Sequence, residues 1–505
     1  MPSVYPGALD SLPINHFDDP SQIIYAAHVN DLADAVNKIE AELDANPSGA
    51  FATVKARLDA IVGGGGFPII NVKDAAYGAV GNGSTDDRVA IQAALDAVPA
   101  AGGCVFFPPG IYLVNSGTGF TIKSKTKILG TSTPRYYYGE PDSNCYIKLG
   151  GSFAGTSLWA PGGSIRGVSW DSIGIYGSNL GTPGPTGIHC FRLPESAAIT
   201  GEQSFNFHKL HISGFTGSGI CGRLHVGTFV DCHISNCGHW CIETETGTNN
   251  RWSDVKFIGG YLYYGRYGGL HLGGVNSSQS GGCQFIGTRF ERSGNTGGSP
   301  LSPLRTDSPG VKLTNAIRIS FVGCDTDGNT GDGFLFTREG TWGSCYGNQI
   351  IGATVGRDGG GDQATLPDRA SIRFKGFSGA AHVDHCKVIG GSAIAGRADD
   401  GGGGIISPKY GVILDYAYDC SFEGYNAEGA TARWNIGGGG AGQIWRTQII
   451  DPTGHILTIP ALDGSPSQLL FDGSGQQMQA WIDTTGATTL FKVRDGGATK
   501  SVALT

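Results

Sequence analysis

Short segments in which apolar and polar residues alternate recur along the chain from about residue 204 onward. Six of them superpose without gaps: LHISGF at Leu210, CHISNC at Cys232, VKFIGG at Val255, TRFERS at Thr288, CDTDGN at Cys324 and ATVGRD at Ala353. Apolar residues at most of the first and third positions give a period of two, which is typical of β-strands. The intervals are too short for crossover helices, so each strand can bury its inner face only by pairing with the next coil of chain. The repeats therefore predict an all-β, single-stranded parallel β-helix.

The composition agrees with this architecture. Glycine accounts for 85 of the 505 residues and charged residues for only 15%, which favours many turns and few helices. A chain of this length exceeds one ordinary hydrophobic core. We predict three parts: a helical segment over 1–66, the β-helix body over 67–440 and a small β-rich domain over 441–505.

The N-terminal segment has a pattern of its own. From Tyr25, apolar residues follow at alternating steps of four and three: Val29, Leu32, Val36, Ile39 and Leu43. This heptad spacing predicts a helix that self-associates as a stalk. The same spacing also suits an amphipathic helix packed against its own domain. The sequence GGGG, residues 63–66, is then a linker.

A specific motif follows the linker. It reads DAAYGAVGNGSTDDRVAIQAALDAVPAAGGCVFFPPGIYLV, from Asp74 to Val114. Thr85 or Asp86 is expected to cap a short helix within it. Four apolar side chains of that helix are expected to face inward: Val89, Ile91, Ala94 and Leu95.

This motif resembles the opening of the pectate-lyase-like superfamily of right-handed parallel β-helix proteins, which includes many phage tailspikes. The stretches YPGALDSL, AAHVNDLADAVNKIEAEL and NPSGAFATVKARL resemble the virion-proximal segments of phage tail fibre and tailspike proteins. The resemblance implies a right-handed β-helix, a homotrimer, attachment of the N-terminus to the phage tail or baseplate, and a host surface polysaccharide as partner. Because the superfamily contains lyases, hydrolases and inactive members, the chemistry has to be argued from a site.

Three carboxylates point to such a site. In the superposed segments Glu291 and Asp327 occupy the fourth, outward position of neighbouring strands, and Asp325 occupies the second. Paired strands lie about 4.8 Å apart, so Glu291 and Asp327 have roughly the separation of about 5 Å that retaining glycosidases use. The diagonal from Glu291 to Asp325, roughly 8 Å, suits an inverting enzyme. We predict Glu291 as the acid and Asp327 or Asp325 as the base or nucleophile, with Arg289 and Arg292 holding the substrate or tuning the pair.

Aromatic residues offer stacking surfaces for sugar rings. The run YLYYGRYGG supplies Tyr261, Tyr263 and Tyr264, and Trp240 precedes it. We predict these four residues as substrate-binding, although burial in an interface between protomers explains them as well. Glu243 and Glu245, in CIETETG, form an alternative acidic pair.

No metal or other cofactor is predicted. The D-x-D-x-N pattern of Asp325 to Asn329 resembles the start of an EF-hand calcium loop, but that loop requires glycine where Thr330 stands and glutamate where Phe336 stands. A looser calcium site stays open there and in the acidic stretch 358–368, against an ordinary turn. His382 and His385 lack a third zinc ligand at a recognisable spacing.

Charge and leader sequences narrow the partners. The net charge of −8 is spread along the chain without a basic cluster, so nucleic acid is not an expected partner. No apolar run is long enough to insert into a membrane, and the N-terminus lacks the features of a signal peptide, which predicts synthesis in the host cytoplasm. The twelve cysteines are expected to be reduced, buried thiols.

The resemblance and the carboxylates together predict a function. We expect a phage tailspike of the virion tail that binds a host surface polysaccharide and depolymerises it as an endo-acting glycoside hydrolase. Two alternatives stay open. One is a polysaccharide lyase acting on a uronate-containing glycan, and the other is a non-catalytic receptor-binding spike.

Overall fold

The computed structural model describes most of the chain after residue 67. The described residues are 68–131, 140, 144–160, 165–193, 204–244, 251–274, 279–294, 305, 307–340, 343–358, 369–377, 381–397, 405–427, 430, 432–436, 447–450, 456–459, 468–473, 476–483, 490–495 and 498–503. The predicted heptad helix and linker lie outside them, and so does the predicted boundary at 440.

Three long sheets of parallel strands make up the body, and successive coils contribute one strand to each in the order A, B, C. Sheet A contains Ile69–Asn71, Gly103–Phe106, Thr126–Leu129, Val168–Asp171, Ser204–His208, Val226–Val230, Val255–Ile258, Gln284–Ile286, Ser320–Val322, Gln349–Ile351, Lys387–Ile389, Ser421–Glu423 and Thr447–Ile450. Sheet B contains Asn82–Asp86, Gly110–Val114, Cys145–Leu149, Gly174–Tyr176, His211–Ser213, His233–Cys237, Tyr261–Gly265, Arg289–Glu291, Asp325–Asp327, Thr354–Gly356 and Ser392–Ile394. Sheet C contains Ser157–Trp159, His189–Leu193, Ile220–Gly222, Trp240–Glu243, Gly268–Gly273, Val311–Thr314, Phe334–Thr337, Ala370–Lys375, Tyr410–Asp415 and Ala432–Ile436.

Two small sheets and a C-terminal meander complete the described strands. Cys345–Tyr346, Val383–Asp384 and Ala417–Tyr418 form a parallel mini-sheet between sheets C and A. Gly396–Arg397 pairs antiparallel with Ile405–Ile406. After Thr447–Ile450 the pairing becomes antiparallel through Ile456–Ile459, Gln468–Gly473, Gln476–Asp483, Leu490–Asp495 and Ala498–Ala503.

The core is the inside of the coils, where equivalent residues stack in register. In sheet A, six aromatic side chains follow one another from coil to coil: Trp170, Phe207, Phe229, Phe257, Phe285 and Phe321. Neighbouring rings are 4.5–5.9 Å apart and nearly parallel. None of the twelve cysteines forms a disulfide and all are buried, so the prediction of buried cysteines is confirmed.

One residue with a left-handed backbone makes the corner between sheet A and sheet B in successive coils. These residues are Ser172, Lys209, Asp231, Gly259, Gly287, Gly323, Gly352, Gly390 and Gly424. Glycine adopts this conformation without the steric cost that other residues incur, which explains why it occupies six consecutive corners. The repeated corner therefore accounts for part of the glycine content.

One predicted strand belongs to a different sheet. VKFIGG was superposed on the sheet B strands, but Val255–Ile258 lies in sheet A, and the sheet B strand of that coil is Tyr261–Gly265. The superposition is wrong at this segment because sheet A strands show the same alternation. The other five segments belong to sheet B as predicted.

The predicted short helix spans Arg88–Asp96 and is the α-helix of the described part of the chain. Ile91, Ala94 and Leu95 are buried, as predicted, but Val89 is 71% exposed, so its inward prediction is wrong. The prediction of Thr85 or Asp86 as the cap is wrong, since Asp87 stands at the N-cap and its side chain makes no capping bond. The carboxylate of Asp86 does accept a 3.2 Å hydrogen bond from the N–H of Arg88. Within the described residues, no helix has the length and apolarity to cross a membrane.

Candidate functional site

The outer face of sheet B carries two rows of side chains in exact register. The first row runs His211, His233, Tyr261, Arg289, Asp325 and Thr354. The second row runs Ser213, Ser235, Tyr263, Glu291, Asp327 and Gly356. Glu291 and Asp327 are therefore lateral neighbours, as the repeats predict. The two tyrosines complete the rungs in which the sequence superposition had placed Lys256 and Ile258.

Glu291 lies on the outer face but is enclosed by its neighbours. The preceding residue, Phe290, points into the core, which directs Glu291 outward by strand alternation. Although it points outward, Glu291 is only 4% exposed. Its Oε1 is 2.8 Å from the Nε of Arg289, and the fully buried Tyr263 is its neighbour on the preceding rung. The carboxyl group is thus shielded from bulk water.

Arg289 links two carboxylates. Besides the contact with Glu291, its Nε is 3.6 Å from Oδ2 of Asp325. Its guanidinium lies 5.5 Å from the centre of the Tyr261 ring. Burial lowers the pKa of Arg289, but the neighbouring Glu291, Tyr261 and Asp325 raise it by more, so the guanidinium stays charged. Glu291, Arg289 and Asp325 form one electrostatic unit.

Asp327 is engaged on its other side. Nε of Arg357 donates a 2.7 Å hydrogen bond to Oδ1 of Asp327, and the guanidinium Nη2 contacts Oδ2. The Arg357 side chain is 11% exposed and its backbone is left-handed, with φ of 51°. A bidentate pair of this kind occupies both carboxylate oxygens. Asp325, with a side chain 38% exposed against 25% for Asp327, is the more exposed of the two carboxylates.

A pocket of about 470 Å³ adjoins this unit at the corner between sheets A and B. Its lining is made of Lys209, Asp231, His233, Gly259, Gly260, Tyr261, Gly287 and Arg289. Lys209 and Asp231 are corner residues with left-handed backbones, and His233, Tyr261 and Arg289 are consecutive members of the first row. Sequence reasoning missed Lys209, Asp231 and His233. The available signal was that His233 stands at the same position of its segment as Arg289 and Asp325.

The predicted aromatic surface is corrected by burial. Tyr261 lines the pocket, but Tyr263 is fully buried, and Tyr264 and Trp240 are 5% and 7% exposed. These three side chains are covered within the chain itself, so they are not accessible stacking surfaces. Arg292 donates a 2.9 Å hydrogen bond to the hydroxyl of Tyr264 and is not among the residues that line the pocket.

The alternative acid Glu243 lies in a separate buried cluster on sheet C. Its Oε1 is 2.6 Å from Nδ1 of His239 and accepts a hydrogen bond from the hydroxyl of Ser218. Burial raises the pKa of Glu243, but these hydrogen bonds and His239 outweigh it and lower the pKa overall. Burial lowers the pKa of the nearby His189 and His271 to about 4. Glu245 lies outside the described residues.

The side chains that would bind calcium at Asp325 to Asn329 are in part engaged by other residues of the chain. Asp327 pairs with Arg357, and the Asn329 amide donates to Asp358 at 2.7 Å and to the Phe290 carbonyl at 2.9 Å. Burial raises the pKa of Asp358 well above its ordinary value. In the part of the chain that the structure describes, no group of three or more His, Cys, Asp or Glu residues is arranged to hold a metal ion.

The described architecture is that of a right-handed single-stranded parallel β-helix, as the sequence predicts. Residues 69–141 match a family model described as rhamnogalacturonase A/epimerase, pectate lyase-like. Two curated relatives are mannuronan C5-epimerases of Azotobacter vinelandii: AlgE6 is 62% identical over 47 residues, 9% of this chain and 5% of that protein, and AlgE4 is 38% identical over 100 residues, 15% of this chain and 17% of that protein. The chain thus spans only a small part of the length of these relatives.

Two solved structures are similar to this chain at low identity. The A-module of AlgE4 from Azotobacter vinelandii has a TM-score of 0.47 and 18% identity, over 72% of this chain and 97% of the module. The enzymatically active domain of tailspike protein 2 from bacteriophage CBA120 has a TM-score of 0.49 and 15% identity, over 86% of this chain and 69% of that domain.

Proposed function

We propose that this protein is a phage tailspike that binds a host surface polysaccharide along sheet B and hydrolyses it with Glu291 and Asp325. The observation that carries the proposal is the position of Arg289. It contacts both carboxylates and also lines the pocket, so a sugar bound there would contact the cation that joins the two acidic groups. The matches to a pectate lyase-like family model and to mannuronan epimerases support a carbohydrate substrate.

The two carboxylates differ in the way that an acid and a base require. A general base has to contact the attacking water, and Asp325 faces solvent. A general acid protonates the glycosidic oxygen, and Glu291, which is 4% exposed, would reach that oxygen only by turning its side chain toward the pocket when the sugar binds. In this reaction Asp325 takes a proton from water, the water oxygen bonds to the anomeric carbon, and Glu291 gives its proton to the departing oxygen.

The positions of Glu291 and Asp325 are compatible with both inversion and retention. Diagonal neighbours on adjacent strands lie about 7–8 Å apart at the backbone, but both carboxylates lie close to the same Nε of Arg289, at 2.8 Å and 3.6 Å, which brings these oxygens closer together than the roughly 6.5–9.5 Å of inverting enzymes. The direct neighbour of Glu291 is Asp327, whose oxygens are held by Arg357. We therefore assign Asp327 a structural role in the site and do not propose it as the nucleophile.

Assembly as a trimer and attachment through the N-terminus belong to the same proposal. The heptad spacing of the N-terminal segment supports self-association. One row on the outer face of sheet A consists of five β-branched side chains, of which Ile351 is half-buried and the other four are 37–39% exposed: Ile258, Ile286, Val322, Ile351 and Ile389. A contiguous exposed apolar row is typical of a surface that packs against another molecule.

The test is to incubate the full chain with a panel of capsular and cell-wall polysaccharides and to determine the masses of the products by mass spectrometry. Gain of one water per cleaved bond supports hydrolysis, and NMR of the first product reports whether the anomeric configuration inverts. Glu291→Gln and Asp325→Asn are expected to abolish cleavage, whereas Glu423→Gln, a matched change in sheet A, leaves it intact. Cleavage that persists in both site variants contradicts the assignment.

A second candidate is elimination at a uronate. The observation that favours it is the pocket lining, which places the cations Lys209 and Arg289 beside His233 and Tyr261. Cations would neutralise the uronate carboxylate, and His233 or Tyr261 would remove the α-proton. Products without added water and with the ultraviolet absorbance of a new carbon–carbon double bond would select this candidate over hydrolysis.

A further inference from the structure

A second cluster of aromatic and polar side chains lies on the mini-sheet, away from the pocket. Its three parallel strands place Tyr346, Asp384 and Tyr418 opposite one another. The alternate residues of the same strands, Cys345, Val383 and Ala417, are fully buried in the core. Strand alternation therefore directs Tyr346, Asp384 and Tyr418 outward.

Four neighbouring rings, tilted against one another, form what we call the platform: Tyr346, His382, His385 and Tyr418. Ring centres are 4.8 Å apart between Tyr346 and His385, 6.2 Å between His385 and Tyr418, and 5.5 Å between His382 and Tyr418. Tyr346 is 43% exposed. The residue after it is Gly347, which has no side chain to cover the ring. The exposed Tyr346 differs in this from the buried Tyr263 and Tyr264 of sheet B.

Polar groups surround the platform. Nε2 of His385 is 2.9 Å from Oδ2 of Asp419, and both side chains are more than 40% exposed. Arg338 lies 3.9 Å from Oδ2 of Asp384. Burial raises the pKa of Asp384 to about 6, with Arg338 and His385 opposing the shift and Cys386 and Asp419 adding to it.

The charges around the platform nearly balance. The positive charges are those of Arg338 and of the exposed Arg318 on the preceding coil. The negative charges are those of Asp384 and Asp419. A strongly anionic ligand such as nucleic acid requires an excess of cations. The combination of aromatic faces with a few hydrogen-bonding groups is instead suited to an uncharged or weakly charged ligand with an apolar face and many hydroxyls.

We propose that the platform is a second glycan-binding site, which holds the polysaccharide without cleaving it. Sugar rings would stack on Tyr346 and Tyr418, and their hydroxyls would bond to Asp384, Asp419 and Arg338. The two tyrosines are two rungs apart, roughly 9.6 Å, so neighbouring sugars of one chain can occupy both. The class of ligand rests on the proposed function, but the site does not depend on which residues catalyse.

The test uses the full chain with the Glu291→Gln change, so that polysaccharide is bound but not consumed. Adding Tyr346→Ala and Tyr418→Ala is expected to weaken binding to long polysaccharide by about tenfold or more, since two stacking contacts are lost. Tyr346→Phe with Tyr418→Phe keeps the rings and is expected to restore the affinity. Tyr410→Ala, a tyrosine change on sheet C, serves as the matched control and leaves it unchanged.

A second measurement distinguishes binding at the platform from binding at the sheet B pocket. In the chain with Glu291 intact, the double alanine variant is expected to cleave short oligosaccharides at the normal rate, because these occupy only the pocket. Unchanged affinity for long polysaccharide in the alanine variant overturns the proposal. Unchanged affinity accompanied by a smaller oligomer on light scattering also overturns it and makes the platform a contact between copies.

Failure of the proposed function gives a different result. A chain that cleaves no glycan but binds one through Tyr346 and Tyr418 refutes the catalytic assignment and supports the platform. Cleavage that is retained while the platform variants have no effect on binding refutes the platform and leaves the catalytic assignment standing. Absence of binding to every glycan in the panel counts against both.

Discussion

The inner and outer faces of the same coils differ in how strongly the residue type repeats from one coil to the next. Inside sheet A, one position is aromatic in six consecutive coils, from Trp170 to Phe321. Outside sheet B, the first row changes chemistry at nearly every rung, from His233 through Tyr261 and Arg289 to Asp325. The inside must fill the space between coils that stack at a fixed spacing, whereas the outside need only remain in register. The difference shows how a uniform scaffold can carry a non-uniform site.

The largest expected effect is on the outer face. Glu291→Gln preserves the shape of the side chain but removes its acid, and loss of a general acid typically costs about 10²–10⁴ in rate. Cleavage of the polysaccharide, followed by the release of reducing ends, measures it. Thermal unfolding is the control, and the free energy of unfolding should fall only by what the weakened contact with Arg289 costs, roughly 1–3 kcal/mol. Activity above a tenth of the normal rate would remove Glu291 from the reaction.

The converse change lies on the inner face. Phe257→Ala opens a cavity between Phe229 and Phe285 in the aromatic stack, and core phenylalanine truncations cost roughly 3–5 kcal/mol. The free energy of unfolding in denaturant is the measurement, and the cleavage rate per folded molecule should stay near normal. A fall in that rate comparable to the effect of Glu291→Gln would show that the two faces are not independent.

The buried histidines of sheet C couple stability to pH. Burial lowers the pKa of His189 and His271 to about 4, below the value of about 6.5 in an unfolded chain. The unfolded state therefore binds more protons between these values, and the free energy of unfolding falls as the pH drops from about 6.5 to 4. Denaturation at a series of pH values measures the slope. His189→Asn with His271→Asn should flatten it, and an unaltered slope would contradict the assignment.

The two aspartates of one strand provide a sharper comparison. Asp325→Asn should abolish cleavage, whereas Asp327→Asn should reduce it by less than about tenfold while lowering the free energy of unfolding by roughly 1–3 kcal/mol, because it weakens the charged pair with Arg357. Initial rates and denaturant titrations of both variants give the answer. Equal losses of activity would return Asp327 to the catalytic pair.

The smallest expected effect concerns the corners. Gly323 has φ of 56° and open space around the position of a β-carbon, so Gly323→Ala adds backbone strain without a clash and should cost roughly 1–2 kcal/mol. Gly274→Ala, at a glycine with open space and no left-handed backbone, is the control. A cost that is the same for both would show that the left-handed corner is not the cause.

The fold and the register of the carboxylates could be predicted from the sequence because strands of one sheet repeat with the same alternation. That signal does not separate one sheet from another, which is why Val255–Ile258 was placed in sheet B instead of sheet A. Register also says nothing of what covers an outward residue. The burial of Tyr263 and the pairing of Asp327 with Arg357 depend on side chains from adjacent coils, and so they required the structure.

The pocket shows a second limit of the sequence pattern. Lys209 and Asp231 have no special spacing, and they line the pocket because the corner between sheets A and B turns at each of them. His233 could have been found, since it shares a row with Arg289 and Asp325. Functional residues at corners are thus harder to predict than those on strands.

A crystal structure of the Glu291→Gln chain with a bound oligosaccharide tests the central claim most directly. We expect sugar density against His233 and Tyr261, with a glycosidic oxygen next to residue 291 and a water between the anomeric carbon and Asp325. Sugar bound elsewhere, for example against His239 and Glu243 on sheet C, with the sheet B pocket occupied only by solvent, would contradict it.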